Sequence, residues 1–426
     1  MLGANTPLSR AYQIDLDCLP MVMDMERNGI LIDAPRFREL KTLHLQELSE
    51  VDRRVYIWAG RKFNVNSSQQ KAEVLKKLGV KIPKQTATGL DSTKTEVLEL
   101  VKHQHPIIPL LLEHSEIAKL ISTYDDGIPS KADEDGRIRG SISYTSVVTG
   151  RFAMRKPNLM NIPTRTARGR ALRGGFVARP GWVLVSNDLS QAEIRMAGIE
   201  SGDEGLVRGY NEDPDFDVHT DTCMMIFGQV TPELRYIGKT VGFGIVYGLS
   251  ASGLTVQVIG EFPELGWNDQ KSQQVIDMFF SKRPGVYEYI EEAKAFARRY
   301  GYVVDMFGRR RNVPHIYSSK KSVRAEAERE SVNFPIQSGA TGIIKIGMKR
   351  ARETVEGYGL QAQWLLQIHD ELLCEAPEEE AVVTALVVNR ELEEVGRELG
   401  LSVPIRAEAK IGRNWAEMVK LKEWKR

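Results

Sequence analysis

Apolar residues recur at helical spacing along most of the chain. This pattern predicts helices over residues 36–58, 66–78 and 95–124, and a pair of helices over residues 267–299. Short continuous apolar runs instead predict buried strands at residues 182–185 and on both sides of the pair His369-Asp370. The pattern thus predicts helices over much of the chain and buried strands at a few places, with a further hairpin at residues 301–314.

One predicted helix runs from Thr231 to Gly248. Thr231 suits the N-cap, Pro232 suits the first helical position, and Gly248 suits the end. Residues four apart share a face, because about 100° per residue leaves a drift of only about 40°. That face carries two cations and then two rings: Arg235, Lys239, Phe243 and Tyr247. Cations suit a triphosphate and flat rings suit a sugar and base, although an ordinary amphipathic helix with a charged end has the same pattern.

Two carboxylates stand where rigid elements can position them. Asp188 closes the first predicted strand, and Asp370 lies beside His369 at the tip of the predicted hairpin in WLLQIHDELLCE. Oxygen ligands of this kind suit Mg²⁺, and two such ions stabilise the attacking and leaving oxygens of a phosphoryl transfer. The alternative is that Asp188 caps a helix that begins at Ser190, in which Glu193 completes a capping box with Ser190.

Two further groups of polar residues are candidates for contacts with nucleic acid. Residues 151–173, RFAMRKPNLMNIPTRTARGRALR, contain no acidic residue, and such a run is expected to face phosphate. Arg329, Asn333 and Gln337 recur every fourth residue and would share a face of a helix, although Pro335 strains that helix. Arg, Asn and Gln in a row suit hydrogen bonds to base edges and sugars in a shallow groove.

Composition narrows the class of protein. The chain has 426 residues, of which 42% are hydrophobic, and this is enough for two or three domains. The net charge is only +1, so a surface for nucleic acid has to be local. Cys18, Cys223 and Cys374 lack a close paired spacing, which indicates reduced thiols in an intracellular protein and no zinc knuckle. Without a long apolar run or a signal sequence, we expect no membrane partner and a cytoplasmic location, in a bacterium or as a viral protein in its host.

Together these motifs resemble the family A DNA polymerases, the group of bacterial DNA polymerase I. The helix Arg-x3-Lys-x3-Phe-x3-Tyr-Gly resembles the nucleotide-binding helix of the family, NDLSQAEIR resembles its DYSQIELR signature, and QIHDE matches its third motif. TGR followed by PNLxNIPxR, and the segment FDVHT, also have counterparts there. Departures from the family pattern are found at a few positions: Ser143, Tyr144, Leu189, Ala192, Ser338 and Gly342.

The resemblance implies an α+β right-hand polymerase with an antiparallel-sheet palm, helical fingers and a helical thumb. The implied segments are 1–34 packing on the palm, 35–128 as thumb, 129–200 as the first part of the palm, 201–340 as fingers and 341–426 as the second part of the palm. Because the chain starts where the exonuclease domains of the family normally end, we expect no proofreading domain in it.

The resemblance also implies a role for each matched residue. The catalytic set is Asp188, Asp370, Lys239 and Glu371. Two Mg²⁺ ions, for which Mn²⁺ can substitute, are held by Asp188, Asp370 and the backbone carbonyl of Leu189. The deoxynucleoside triphosphate is bound by Arg235, Lys239, Phe243, Tyr247, His219, Glu193 and Gln191. Primer-template DNA is bound by Arg151, Asn161, Arg165, Arg329, Asn333, Gln337, Gln367 and His369.

The implied function is template-directed addition of deoxynucleotides to a primer by a monomeric enzyme. A single-subunit phage-type RNA polymerase is an alternative, since it shares the two Asp motifs and the Arg/Lys helix, but Glu193, Phe243 and Glu371 speak against it. An inactive DNA-binding or scaffolding protein is another, against which the intact Asp188 and Asp370 argue. Phe243 further implies discrimination against dideoxynucleotides.

Overall fold

The computed structural model of the chain describes residues 7–85, 89, 91–164 and 166–425; the side chains of residues 7–9 and 243 are not described. The chain divides into two compact units. The larger unit comprises Met1–Ile30, Arg139–Asn161 and Ala178–Arg426, and the smaller comprises Leu31–Ile138 and Ile162–Val177. The five segments implied by the family resemblance stay a prediction.

Helices predominate, and the strands are short. Among the described residues the helices are α1 (Pro7–Asp17), α2 (Leu19–Asn28), α3 (Ala34–Ala59), α4 (Ser68–Lys77), α5 (Thr95–Leu100), α6 (Ile107–Lys119), α7 (Ala167–Arg173), α8 (Ala192–Ser201), α9 (Glu204–Glu212), α10 (Val218–Phe227), α11 (Pro232–Val246), α12 (Ala251–Glu261), α13 (Asp269–Lys282), α14 (Pro284–Tyr300), α15 (Lys321–Gly357) and α16 (Ala381–Glu398). The strands are β1 (Ile30–Ile32), β2 (Arg137–Ile138), β3 (Ser141–Ser143), β4 (Ala153–Arg155), β5 (Phe176–Val177), β6 (Trp182–Leu189), β7 (Tyr302–Val304), β8 (Arg310–Asn312), β9 (Gln363–Ile368), β10 (Glu371–Pro377), β11 (Ala407–Gly412) and β12 (Val419–Lys420). No helix among these residues is both long and apolar enough to cross a membrane.

An antiparallel five-stranded sheet forms the centre of the larger unit. Its strand order is β12-β11-β6-β10-β9, so that β6 lies in the middle. The register pairs Asp188 of β6 with Glu371 of β10 on one side and with Glu408 of β11 on the other. Consecutive residues of β6, from Val183 to Val185, are fully buried, as expected for a strand that is covered on both faces. The sheet therefore fixes the position of Asp188 near the end of its central strand.

Strand β6 extends beyond the apolar run that predicted it. The prediction placed the buried-strand pattern at residues 182–185 and closed the strand at Asp188, and β6 runs one residue further, through Leu189. The polar residues Ser186 and Asn187 that follow the apolar run are buried. The Asn187 amide donates to the Ala385 carbonyl at 3.0 Å and to Asn389 at 2.7 Å, on helix α16. Buried polar groups that are paired in this way do not interrupt a strand.

Helix α15 runs without a break through Pro335. The proline removes one intrahelical hydrogen bond, but its neighbours Phe334 and Ile336 are buried at 0% and 1% exposure, and their packing compensates for the loss. The two predicted helices over residues 267–299 are present as α13 and α14, and the predicted hairpin at 301–314 is present as β7 and β8.

The smaller unit has a helical core and a three-stranded sheet of order β2-β1-β5. Asp33 caps α3 by accepting from the Arg36 amide, and Ser67 caps α4. The single helical region predicted over residues 95–124 is divided: α5 and α6 are separate helices, and a short π-helix follows α6. Arg168, from the acid-free run expected to face phosphate, instead pairs with glutamates of this unit: Glu47, Glu113 and Glu116.

Candidate active site

The two predicted catalytic aspartates lie side by side at one end of the central sheet. The backbone amide of Leu189 donates a hydrogen bond to the carbonyl of Asp370 at 3.0 Å, so the end of β6 is joined to the hairpin tip. His369 at this tip has φ +54°, in the left-handed region, which allows the tight reversal between β9 and β10. Asp188 does not cap a helix, because it lies within a strand.

Burial acts on both carboxyl groups, and neighbouring acidic groups add to its effect. Surrounding protein atoms raise the pKa of Asp188 to about 7, and the nearby charges of Glu371 and Asp370 add to this effect. Burial also raises the pKa of Asp370 to about 6; Arg151 lowers it and Glu193 raises it. The Asp188 side chain is nevertheless accessible to solvent, and Asp370 is half-buried, so a ligand can reach both.

The side chain of Glu371 is fixed by hydrogen bonds from two residues that the sequence did not identify as part of the site. Its Oε1 accepts from the Ser186 hydroxyl at 2.7 Å and from the indole Nε1 of Trp415 at 3.1 Å. These bonds fix a third negative charge close to Asp188. Trp415 belongs to the GxNW sequence near the end of the chain, and this motif was the feature of the sequence that could have indicated its role.

The donor set fits a hard divalent cation. Asp188, Asp370 and the Leu189 carbonyl offer only oxygen ligands, which Mg²⁺ prefers, and a cation would offset the burial and the neighbouring acidic groups that raise both pKa values. Within the described residues no group of three or more His, Cys, Asp or Glu side chains forms a complete metal site. A cation here would therefore take its remaining ligands from phosphate and water, as Mg²⁺ commonly does.

We expect Mn²⁺ binding to this site to weaken as the pH falls from about 8 to about 6, because metal binding needs ionised ligands. The raised pKa values of about 7 and about 6 mean that Asp188 and Asp370 take up protons well above the usual carboxyl range. Electron paramagnetic resonance of free Mn²⁺ measures the affinity. An Asp188→Asn variant should lose this dependence together with most of the binding, and an unmodified protein whose affinity stays constant down to about pH 5 would contradict the expectation.

The cationic helix α11 begins as predicted, and it ends at Val246, two residues before the predicted stop at Gly248. Thr231 accepts a hydrogen bond from the Leu234 amide, and Gly248 has φ +75°. Arg235 donates from Nη2 to Asp217 at 2.7 Å and from Nε to Thr220 at 3.0 Å, so its guanidinium is oriented by the start of α10. Burial alone would raise the pKa of Asp217, but the hydrogen bonds from Arg235 and Thr220 outweigh it and hold this pKa well below the usual range.

His219 lies in the same cluster of charges. Burial lowers its pKa, and the positive charge of Lys239 lowers it further, while Asp217 acts in the opposite direction. The imidazole is therefore neutral at pH 7, and it can donate a hydrogen bond without adding charge. Lys239 is exposed. The structure thus brings together Arg235, Lys239 and His219, which the sequence placed in two separate motifs.

Gln191 and Arg195 link this cluster to the strand that carries Asp188. Gln191, with φ +55°, accepts from the Tyr210 hydroxyl at 2.8 Å and donates to the Phe216 carbonyl at 3.2 Å. Arg195 is 1% exposed and donates to three backbone carbonyls, those of Ser190, Pro404 and Pro214. Sequence reasoning missed Arg195, because nothing in a helical Arg indicates that it is buried. Both residues fix the loop before α10 against the end of β6.

Glu193 forms an ion pair with Arg151. The capping-box alternative for Glu193 is wrong: α8 begins at Ala192, its N-cap is Gln191, and no side chain caps it. Arg151 also borders a cavity of about 210 Å³ together with three other predicted DNA-binding residues: Asn161, Gln367 and His369. The Gln367 amide donates to the His369 carbonyl, which stiffens the hairpin tip.

The predicted row on α15 lies partly against the end of α11. The Arg329 side chain packs so closely on Gly248 that a Cβ at this position would overlap it, so the glycine is required for this close approach. Asn333 is half-buried, and its Oδ1 is buried without a hydrogen-bond partner among the described residues.

The side chain of Phe243 and the whole of Arg165 lie outside the described part of the structure.

Comparison with known proteins gives the family. A family model described as DNA polymerase family A matches residues 34–417, which is most of the chain. The chain belongs to DNA polymerase family A. This family A chain is also similar to a solved structure described as the POL domain of Pol1 from M. smegmatis in complex with DNA primer-template and dNTP, with a TM-score of 0.86 and 32% identity. That match covers 94% of this chain and 70% of the other, and it confirms the predicted α+β polymerase fold class.

Curated relatives are bacterial DNA polymerases I. The family A chain is 37% identical over 420 residues to DNA polymerase I of Chloroflexus aurantiacus, a match that covers 96% of this chain and 43% of the relative. It is 38% identical over 398 residues to the thermostable DNA polymerase I of Thermus aquaticus, which covers 92% of this chain and 46% of the relative. The chain thus spans less than half the length of these relatives.

Proposed function

We propose that this family A chain is a template-directed DNA polymerase that adds deoxynucleotides to a primer 3′-hydroxyl and releases pyrophosphate. The observation that carries the proposal is the hydrogen bond from the Leu189 amide to the Asp370 carbonyl. Because Leu189 follows Asp188, this bond brings together two aspartates that are remote in the sequence, at one end of the sheet. The M. smegmatis relative is described in complex with primer-template DNA and dNTP, and this supports the same substrate class here. Primer extension with Mg²⁺ on a DNA template tests the proposal.

In this proposal Asp188, Asp370 and the Leu189 carbonyl hold two Mg²⁺ ions, or Mn²⁺ in their place. When bound, such ions neutralise phosphate charge and increase the nucleophilicity of the primer hydroxyl. Glu371, fixed by Ser186 and Trp415, keeps the site strongly negative and so favours cation binding. The five segments predicted as thumb, palm and fingers are proposed on the family match over residues 34–417.

The triphosphate would lie against Arg235, Lys239 and His219. Arg235 is preoriented by Asp217 and Thr220, so little side-chain entropy is lost when its guanidinium meets phosphate. Lys239 supplies an exposed charge where negative charge develops on the leaving pyrophosphate. Phe243, Tyr247 and Gln191 complete the predicted nucleotide site.

Primer-template DNA would be bound by two groups of side chains. Arg151, Asn161, Gln367 and His369 surround the cavity of about 210 Å³ beside Asp370, which suits the primer terminus. The row on α15, with Arg329, Asn333 and Gln337, offers hydrogen bonds to base edges and sugars. Arg165 is proposed as a phosphate contact on the family motif alone.

Glu193 is expected to select deoxynucleotides. Its carboxylate, held by Arg151, would occupy the space beside the sugar and reject a 2′-hydroxyl. Replacing Glu193 with alanine should therefore raise ribonucleotide incorporation relative to deoxynucleotide incorporation by about 10²-fold, measured as a ratio of kcat/KM values. Glu204→Ala, at an exposed glutamate on α9, is the matched control. An unchanged ratio in the Glu193→Ala variant would contradict the proposed role of Glu193 in selecting deoxynucleotides.

The same assay decides between the proposal and its alternatives. An RNA polymerase of the phage type would prefer ribonucleotides in the unmodified protein, and the presence of Glu193 opposes this. An inactive DNA-binding protein would bind primer-template without extending it. The raised pKa values at Asp188 and Asp370 favour an active site, because strongly shifted carboxyl groups cluster at functional positions.

A further inference from the structure

Aromatic side chains cluster on the surface where α14 ends and the β7–β8 hairpin begins. Phe296, Tyr300 and Tyr317 are 40%, 47% and 63% exposed. The ring centroids of Phe296 and Tyr300 are 4.6 Å apart, and those of Phe296 and Tyr302 are 5.6 Å apart. Tyr317 joins them across Gly301, since a Cβ on this glycine would lie 3.5 Å from the Tyr317 hydroxyl. We call these four rings the aromatic platform; exposed apolar groups clustered in this way mark interaction sites.

Arginines lie over the platform. The Cζ atom of Arg310 is 3.7 Å from the centroid of the Tyr302 ring, and that of Arg299 is 5.2 Å from the centroid of the Tyr300 ring. Neither arginine forms an ion pair with a carboxylate in the part of the chain that the structure describes. Two nearby arginines do: Arg298 pairs with Glu328, and Arg311 pairs with Glu330.

The sequence around the platform is strongly basic. Residues 298–324 contain eight Lys or Arg residues and a single acidic residue, Asp305, which is buried. Lys320 and Lys321, three and four residues after Tyr317, are exposed. The net charge of the whole chain is only +1, so this excess of positive charge is a local property of the surface.

Rings that carry uncompensated arginines match the chemistry of unpaired nucleic acid. Bases stack on aromatic rings regardless of sequence, while guanidinium groups contact the phosphates and stack as well. Duplex DNA hides the faces of its bases, so exposed rings add little to duplex binding. An unpaired strand offers both base faces and phosphates, and it is therefore the partner that this surface fits.

Helix α15 connects the platform to the proposed template contacts. The helix begins at Lys321, four residues after Tyr317, and Arg329 lies eight residues further along. At about 1.5 Å per residue this is about 12 Å, or the length of about three or four stacked nucleotides. We propose that the aromatic platform, with Arg299 and Arg310, binds the unpaired 5′ part of the template before it is copied. This inference rests on the proposed polymerase function.

Binding of two primer-templates tests the proposal: one has a single-nucleotide template overhang and the other a thymidine overhang of about 12 nucleotides, the size of a typical single-strand site. For the full chain, fluorescence anisotropy should show tighter binding of the long overhang. The double variant Tyr300→Ala/Tyr317→Ala should lose about ten-fold or more in affinity for the long overhang and none for the short one. Tyr300→Phe/Tyr317→Phe, which keeps both rings, should bind as the unmodified protein does.

Tyr358→Ala is the matched control. Tyr358 is 61% exposed, lies 5.8 Å from the Cζ atom of Arg390, and follows the opposite end of α15. Its replacement should leave both affinities unchanged. An equal loss in this control, an equal loss on both overhangs, or no loss in the double alanine variant would overturn the proposal. Failure of the polymerase function is recognised separately, because the unmodified protein would then not extend the short-overhang substrate at all.

Discussion

Replacing Asp370 with asparagine is expected to lower the rate of primer extension by about 10³-fold or more. The substitution keeps the shape of the side chain but removes one of the two charges that would hold the metal ions. The carboxyl group is half-buried with a pKa raised to about 6, so its ionised form at pH 8 is less favourable in the folded chain than in the unfolded chain. The variant should therefore unfold at the same or a higher temperature at pH 8, which separates lost catalysis from lost folding.

Glu408→Gln is the control for this experiment. Glu408 is paired in register with Asp188 on the other side of β6, and it is exposed and bonded to Lys420 at 3.2 Å. The Glu408→Gln substitution removes a carboxylate from the same sheet and leaves the hairpin tip unchanged, so the rate of primer extension should change little. If Asp370→Asn retained most of its activity, or if both variants lost activity equally, the two-aspartate site would be excluded.

The second large effect is expected at Lys239. Replacing it with alanine should reduce kcat/KM for nucleotide incorporation by about 10²- to 10³-fold, because the exposed ammonium would stabilise the negative charge that develops on the pyrophosphate. Single-turnover measurements should place much of the loss in the rate of incorporation rather than in nucleotide binding alone. Because the side chain is exposed, the free energy of unfolding should change by no more than about 0.5 kcal/mol.

Lys271→Ala provides the comparison for Lys239. Lys271 is also exposed and helical, on α13, and it donates to the Gly266 carbonyl at 3.1 Å. Lys271 has no proposed role in catalysis, so its replacement should leave the rate of nucleotide incorporation unchanged. A Lys239→Arg variant that restored part of the lost rate would support an electrostatic role, whereas a similar small loss in Lys239→Ala and Lys271→Ala would refute it.

Strand β6 and helix α8 show how much of a local structure the sequence pattern around it can predict. The apolar run before Asp188 predicted a buried strand closed by that residue, but it did not reveal which groups bond Ser186 and Asn187, because their partners Glu371 and Asn389 are far away in the sequence. Likewise, Ser190 and Glu193 have the spacing of a capping box, yet the helix begins at Ala192. In helix α8 the tertiary ion pair of Glu193 outweighs the local preference.

The amino-acid sequence determined the helical spacing of α11, the hairpin around Asp370 and the matched motifs that indicate the family, since these depend on neighbours within a few turns or residues. Only the tertiary structure decided that Leu189 bonds to Asp370, that Asp217 orients Arg235, and that Arg151 holds Glu193. Pairings of this kind join residues from about 20 to nearly 200 positions apart, and their partners are selected by sheet register and by the cost of leaving a buried charge unpaired.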